Sequence, residues 1–222
     1  MSDGSHQLVA IELGDQPAAW RAAGFDVDEH GGDGDGAGCG RVHLGTTTVV
    51  LTGRGGDPAW SIDGVVAPID GLPIAIVDVD GATSTTMPAE AHPNGISRID
   101  HVVVSTGDSD RTVAAFTAAG LSPRRTRDVT DGPNPMRQTF CWAGEVIIEI
   151  VGPLEPAGDD ADAAATFFGL ALVADDLDAS AAHLGDLLAP PRDAVQPGRR
   201  IAGLRHRSVG ISLPVAVMTP HR

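Results

Sequence analysis

The chain contains no lysine and no tyrosine, so its 15 basic residues are all arginines, set against 30 Asp and Glu for a formal net charge of -15. A surface this acidic repels nucleic-acid phosphates and anionic lipid, which argues against both as partners. The 2 cysteines, Cys39 and Cys141, fall in no CxxC spacing, so neither a zinc framework nor a disulfide is indicated. Apolar runs are short: none approaches the roughly 18 residues needed to span a bilayer. The opening MSDGSHQ has no basic segment followed by an apolar one, and the expectation is a cytoplasmic protein without a membrane contact. No GxGxxG or P-loop spacing occurs, and GRGGDP reads as a turn. Neither Ser105 nor Cys141 has a base beside it in sequence, so nucleophilic catalysis is not supported.

What is present is a globular composition, 42% apolar over 222 residues, enough for one large domain or two small ones. The clearest stretch runs from Ile99 to Pro153. IDHVVVST is a β-branched run that reads as a buried strand, and DRTVAAFTAAG is an amphipathic helix ending on a glycine. RQTFCWAG and VIIEIVGP then read as strands, the last with Glu149 inside a hydrophobic run. A carboxylate placed there requires a partner.

The same order of elements recurs on both sides. Residues 7–53 offer LVAIEL, a helix in DQPAAWRAAGF with Asp15 placed to cap it, then DVDEH, RVHLG and TTTVVLTG as strands. GGDGDGAGCG reads as a loop, since its Gly–Asp alternation lacks the twelfth-position Glu of a calcium hand. Beyond an acidic linker come FFGLALVA, the helix DDLDASAAHLGDLL, the irregular PRDAVQPGR, and the strands RIAGLRHRSVG and ISLPVAVMTP. Between the first and second copies, LPIAIVDVD reads as a strand and His92 in HPNG as a polar turn residue. The expected division is therefore 1–60, a degenerate βαβββ module; 61–97, a connector with one strand; 98–153, a module with His101 and Glu149; 154–165, an acidic linker; and 166–222, a module lacking those residues, with 98–222 pairing as one domain.

A βαβββ unit with His on its first strand and Glu on its last resembles one module of the vicinal-oxygen-chelate superfamily, which includes glyoxalases, extradiol dioxygenases and bleomycin-resistance proteins. The resemblance implies an α+β fold in which paired modules build cupped mixed sheets with helices packed outside. It also implies a pocket for a small oxygenated molecule and a divalent metal (Zn, Ni, Mn or Fe), with lyase or isomerase chemistry ahead of dioxygenase chemistry. Homodimers occur in it as well. In this chain it places metal ligands at His101 and Glu149, with Glu149 also able to act as a base. The matching positions of the third copy are Gly169 and Ala216, and the first copy has Val50 at the Glu position, with His6 only near the His one.

Two protein ligands are fewer than the three a catalytic site usually has. His206 is the preferred third, ahead of Gln138 and His183, because its strand should face the cup. The alternative is a metal-free His101–Glu149 pair in a binding protein of the bleomycin-resistance type, satisfied by hydrogen bonding alone. Period-two geometry sends Gln138 and Arg137 to opposite faces, so one of them reaches the pocket. Phe140 and Trp142 either pack in the core or stack on a ligand. Among Arg200, Arg205 and Arg207, an arginine facing the cup would clamp a carboxylate or phosphate. Gln138, Arg205 and Trp142 are the expected pocket residues.

Overall fold

The structure is a computed structural model that describes residues 6–30, 38–76, 91–131, 133–156 and 159–221. The fold is α+β, with two mixed sheets and short helices. The order strand–helix–strand–strand–strand occurs three times. The first is β1 (Leu8–Leu13), α1 (Pro17–Ala22), β2 (Asp28–His30), β3 (Cys39–Leu44) and β4 (Thr47–Leu51). After β5 (Ala59–Ile62) comes the second: β6 (Ile96–Ser105), α2 (Ser109–Ala118), β7 (Pro123–Val129), β8 (Met136–Ala143) and β9 (Val146–Pro153). The third is β10 (Thr166–Ala174), α3 (Leu177–Leu184), β11 (Arg192–Asp193), β12 (Arg200–Gly203) and β13 (Val215–Met218), with the short helix α4 (His206–Val209) between its last two strands.

Within each unit the first strand pairs parallel with the last, which is what a crossover helix between them produces. The second and third units join edge to edge through antiparallel β6 and β10, giving one eight-stranded sheet in the order β11-β12-β13-β10-β6-β9-β8-β7. Among the described residues the first unit has no such partner. Beside β1 lies antiparallel β5, at the place β10 takes beside β6, and a five-stranded sheet results.

Strand alternation puts apolar side chains on one face, and the buried residues of both sheets form one core cluster. Trp60 of β5 is fully buried and meets Phe116 of α2 and Phe167 of β10 edge-on, with ring centroids 5.8 and 4.9 Å apart. The connector strand is thereby anchored to the larger sheet as well as to β1. Asp15, also buried, accepts hydrogen bonds from Trp20 Nε1 and the Ser212 backbone N–H, both at 3.0 Å. It ties α1 to the loop before β13.

Several local expectations need correction. Asp15 does not cap α1: Gln16 is the N-cap, with no side-chain cap bond, because the Asp15 carboxylate is used by Trp20 and Ser212. The connector strand is Ala59–Ile62, whereas around Leu72–Ile74 only single bridges form. The remainder of LPIAIVDVD from residue 77, and most of the Gly–Asp loop, lie outside the described residues. His92 is buried: its Nε2 meets the His43 carbonyl oxygen at 2.9 Å and its Nδ1 accepts from the Asp26 N–H at 3.2 Å. Burial keeps its pKa below the usual histidine value. No helix among the described residues is long and apolar enough to cross a membrane.

Candidate functional site

The inner face of the larger sheet follows from strand parity. His101, Val103 and Ser105 of β6, Ile147, Glu149 and Val151 of β9, and Gln138, Phe140 and Trp142 of β8 are among the half-buried members of their strands. Their neighbours Val102, Val104, Ile148, Ile150 and Cys141 are buried in the core. A cavity of about 280 Å³ opens on the inner face, lined among others by His101, Glu149, Gln138, Arg125, Arg192 and Met218. Arg125 belongs to β7 and Arg192 to β11, the two outermost strands of the sheet. Their sharing one cavity means that the sheet curls into a cup.

Alternation alone would point Asp100 away from His101. Instead β6 carries a bulge: Ile99 pairs with Leu172 and His101 with Ala171, so Asp100 is an extra residue. A bulge re-aims the side chain beside it. Asp100 Oδ2 lies 2.8 Å from His101 Nδ1, and the Asp100 carboxylate is held by Arg199 through bonds of 2.7 and 3.2 Å. Arg199 immediately precedes β12, with its side chain only 3% exposed, and it also donates to the Thr219 carbonyl oxygen and to Gln196 Oε1, each at 2.8 Å. Burial opposes ionisation of Asp100, but the hydrogen bonds from His101 and Arg199 outweigh it and hold the pKa at about 2. An ionised carboxylate only accepts, so Nδ1 of His101 carries the proton and Nε2 is left toward Glu149.

Glu149 Oε2 sits 3.4 Å from His101 Nε2, with the two side chains 12% and 16% exposed. Its Oε1 accepts from Gln138 Nε2 at 2.7 Å, and the Gln138 carbonyl oxygen accepts from Arg127 Nε at 3.0 Å and from a second Arg127 nitrogen. Burial pushes the Glu149 pKa up, partly offset by His101, Arg127 and the Gln138 bond. The result is a partly desolvated carboxyl lining a cavity, the setting in which carboxylates act as acid or base. Burial drives the Cys141 thiol the other way for reactivity, up to about 11.

The other expected residues are placed differently. The strand expected over RIAGLRHRSVG stops at Gly203, and His206 opens α4, its Nδ1 2.8 Å from the Ile211 carbonyl oxygen. It does not line the cavity. Arg205 is the N-cap residue of α4 and is exposed, Arg200 pairs with Asp178 at 2.6 Å, and neither lines the cavity. Trp142 shares the parity of Phe140 but lies beneath the Arg124 guanidinium, 5.4 Å from its centroid. Gln138 lines the cavity, while Arg137 turns outward to Asp128 and Asp110. His183 lies on α3 beside Asn94 and Ser180, in a separate cleft. Asp100, Arg199, Arg125, Arg127 and Arg192 were not anticipated. Asp100 and Arg125 depend on bulges, and Arg199 on a loop, so alternation gives no signal for them.

A divalent metal can be tested against this donor set. His101 and Glu149 are suitable first-row ligands. At the matching position of the third unit, a Cβ on Gly169 would lie 2.7 Å from the Pro214 carbonyl oxygen, which accepts the Leu170 N–H at 2.9 Å. A side chain has no room there, and Ala216 offers only a methyl. Asp100 is committed to Arg199, and the Gln138 carbonyl oxygen to Arg127. Among the described residues no three His, Cys, Asp or Glu side chains converge on a point. The residues present do not fit a resident catalytic metal.

No protein-family model matches the chain, and no curated protein does. Solved structures do match. A mutant 4-hydroxymandelate synthase from Streptomyces coelicolor superposes with a TM-score of 0.62 at 15% identity, covering 97% of this chain and 92% of that one. Methylmalonyl-CoA epimerase from Mycobacterium tuberculosis gives 0.47 at 18% identity, over 61% of this chain and 94% of that one. The Streptomyces coelicolor epimerase, solved with 2-nitronate-propionyl-CoA, gives 0.43 at 21% identity, over 57% and 99%. The 4-hydroxymandelate synthase is a member of the vicinal-oxygen-chelate superfamily. The chain has the fold of that superfamily, built from βαβββ units around a cup.

Proposed function

We propose that residues 98–222 form the working unit, that its cup binds a small oxygenated molecule, and that Glu149 exchanges a proton with that molecule without a resident metal. The reaction class is lyase or isomerase: both begin with abstraction of a proton from carbon beside a carbonyl, which an isomerase returns to carbon and a lyase follows with loss of a leaving group from the neighbouring carbon. What carries this reading is the array Asp100–His101–Glu149, with separations of 2.8 and 3.4 Å, of which His101 and Glu149 line the cavity. Glu149, made more basic by burial, takes the proton. His101, oriented by Asp100, presents Nε2 to receive that proton from Glu149 and hand it back. Gln138 holds the second carboxylate oxygen, so Oε2 is the mobile one.

A second reading, sequestration of a metabolite or drug without turnover, draws support from Gly169 and Ala216, which give the third unit no reactive group. Exchange of solvent deuterium into carbon acids separates the two. With wild-type protein in heavy water, NMR should show loss of the α-proton signal of a substrate, and Glu149→Gln should abolish that loss while leaving binding intact. Tight, saturable binding with no exchange in the wild type supports sequestration instead.

A further inference from the structure

The charge around the cavity runs opposite to that of the chain. The chain has 30 acidic and 15 basic residues, yet three arginines, Arg125, Arg127 and Arg192, line the cavity against one carboxylate, Glu149. Arg127 is used by Gln138. Among the described residues, Arg125 and Arg192 have no hydrogen-bonding or acidic partner, and Arg125 lies over the Phe140 ring at 6.0 Å. The placement is built into the strands. β7 is bulged at Arg124, since Pro123 pairs with Cys141 and Arg125 with Phe140, and this brings Arg124 over Trp142 and Arg125 over Phe140. At the far end of the sheet, Arg192 pairs with Ile201 and Ile201 with Met218, so the three sit side by side on the cup wall.

We propose that the ligand of this cup is an organic oxyanion, its carboxylate or phosphate seated at the mouth by Arg125 and Arg192 and its body lying along Phe140, Ile201 and Met218 toward Glu149. A guanidinium offers a fork of donors matched to such a group. The surrounding acidic surface is a reason to reserve two guanidinium groups, without a partner among the described residues, for the place where an anion must be held. This assignment rests on the cup being a ligand site, but not on proton transfer within it.

Calorimetric titration of the whole protein with phenyllactate, succinate, their uncharged amides and inorganic phosphate tests it. At least one of the acids or phosphate should bind saturably, and an acid that binds should do so about tenfold or more tightly than its amide. Arg125→Gln and Arg192→Gln should each weaken the anion about tenfold without changing the melting temperature, while Arg205→Gln should leave binding unchanged. Phosphate binding in place of the acids supports the anion assignment and points to a phosphorylated ligand. Amides binding as tightly as acids, full affinity in both cavity variants, or no anion bound at all would overturn it. Deuterium exchange into an uncharged carbon acid, with no anion bound, would overturn this assignment alone. Arginine-dependent anion binding with no exchange would overturn the proton-transfer reading alone.

Discussion

Arg199 reaches from the edge of β12 to the bulge in β6 and grips Asp100 with two hydrogen bonds, of 2.7 and 3.2 Å. The contact crosses from the third unit to the second, so the orientation of His101 depends on both halves of the sheet. It also leaves Asp100 unable to serve any ligand other than His101.

Stability should record this contact. Because the folded pKa of Asp100 is depressed to about 2 from 3.8, its contribution is complete above the unfolded value and is lost as pH falls from about 4 to about 2. Asp100→Asn mimics the protonated side chain. Urea denaturation should show the variant weaker by on the order of 2 kcal/mol at neutral pH, with the gap closing toward pH 2.

Glu149 carries the opposite sign. Its folded pKa is raised, so ionisation costs stability as pH rises through the carboxylate range and beyond. Glu149→Gln keeps a neutral side chain of the same shape. It should be at least as stable as wild type at pH 8, with the advantage shrinking as the pH is lowered, which denaturation midpoints at several pH values will report.

Gly169 should tolerate no side chain. Alanine there would place Cβ 2.7 Å from the Pro214 carbonyl oxygen and force β13 to shift, at about 1–3 kcal/mol. Restoring the superfamily pattern with Gly169→His and Ala216→Glu should therefore lower the melting temperature rather than create a metal centre. A double variant that folds normally and takes up one zinc per chain would show that the Pro214 loop yields.

Trp60 should matter to both sheets. It is fully buried, with rings on either side. Trp60→Ala should cost about 3–5 kcal/mol, as large aromatic truncations do, and one urea transition should persist by fluorescence and circular dichroism.

Much of this fold was legible because strand alternation is local. The runs at Leu8–Leu13 and Val146–Pro153 are strands with those bounds, while parity put Gln138 and Arg137 on opposite faces without choosing between them, and it is Gln138 that lines the cavity with His101 and Glu149. What escaped is what a bulge or a loop decides. One extra residue at Asp100 brings its carboxylate to His101 and Arg199, another at Arg124 sets Arg125 over Phe140 in the cup, and neither leaves a mark in hydropathy. RIAGLRHRSVG breaks after Gly203 because Arg205 to Gly210 turn through α4, which removes His206 from the strand that was to carry it inward. Ala59–Ile62 is four residues long, too short for periodicity to separate it from a loop, yet it completes the first sheet.

The most direct test of the account is solvent-deuterium exchange into small carbon acids, run after exhaustive chelation and dialysis. The account predicts exchange by wild-type protein that chelation does not diminish and that Glu149→Gln loses. Exchange that appears only when a divalent ion is added back, or that survives in Glu149→Gln, would contradict it.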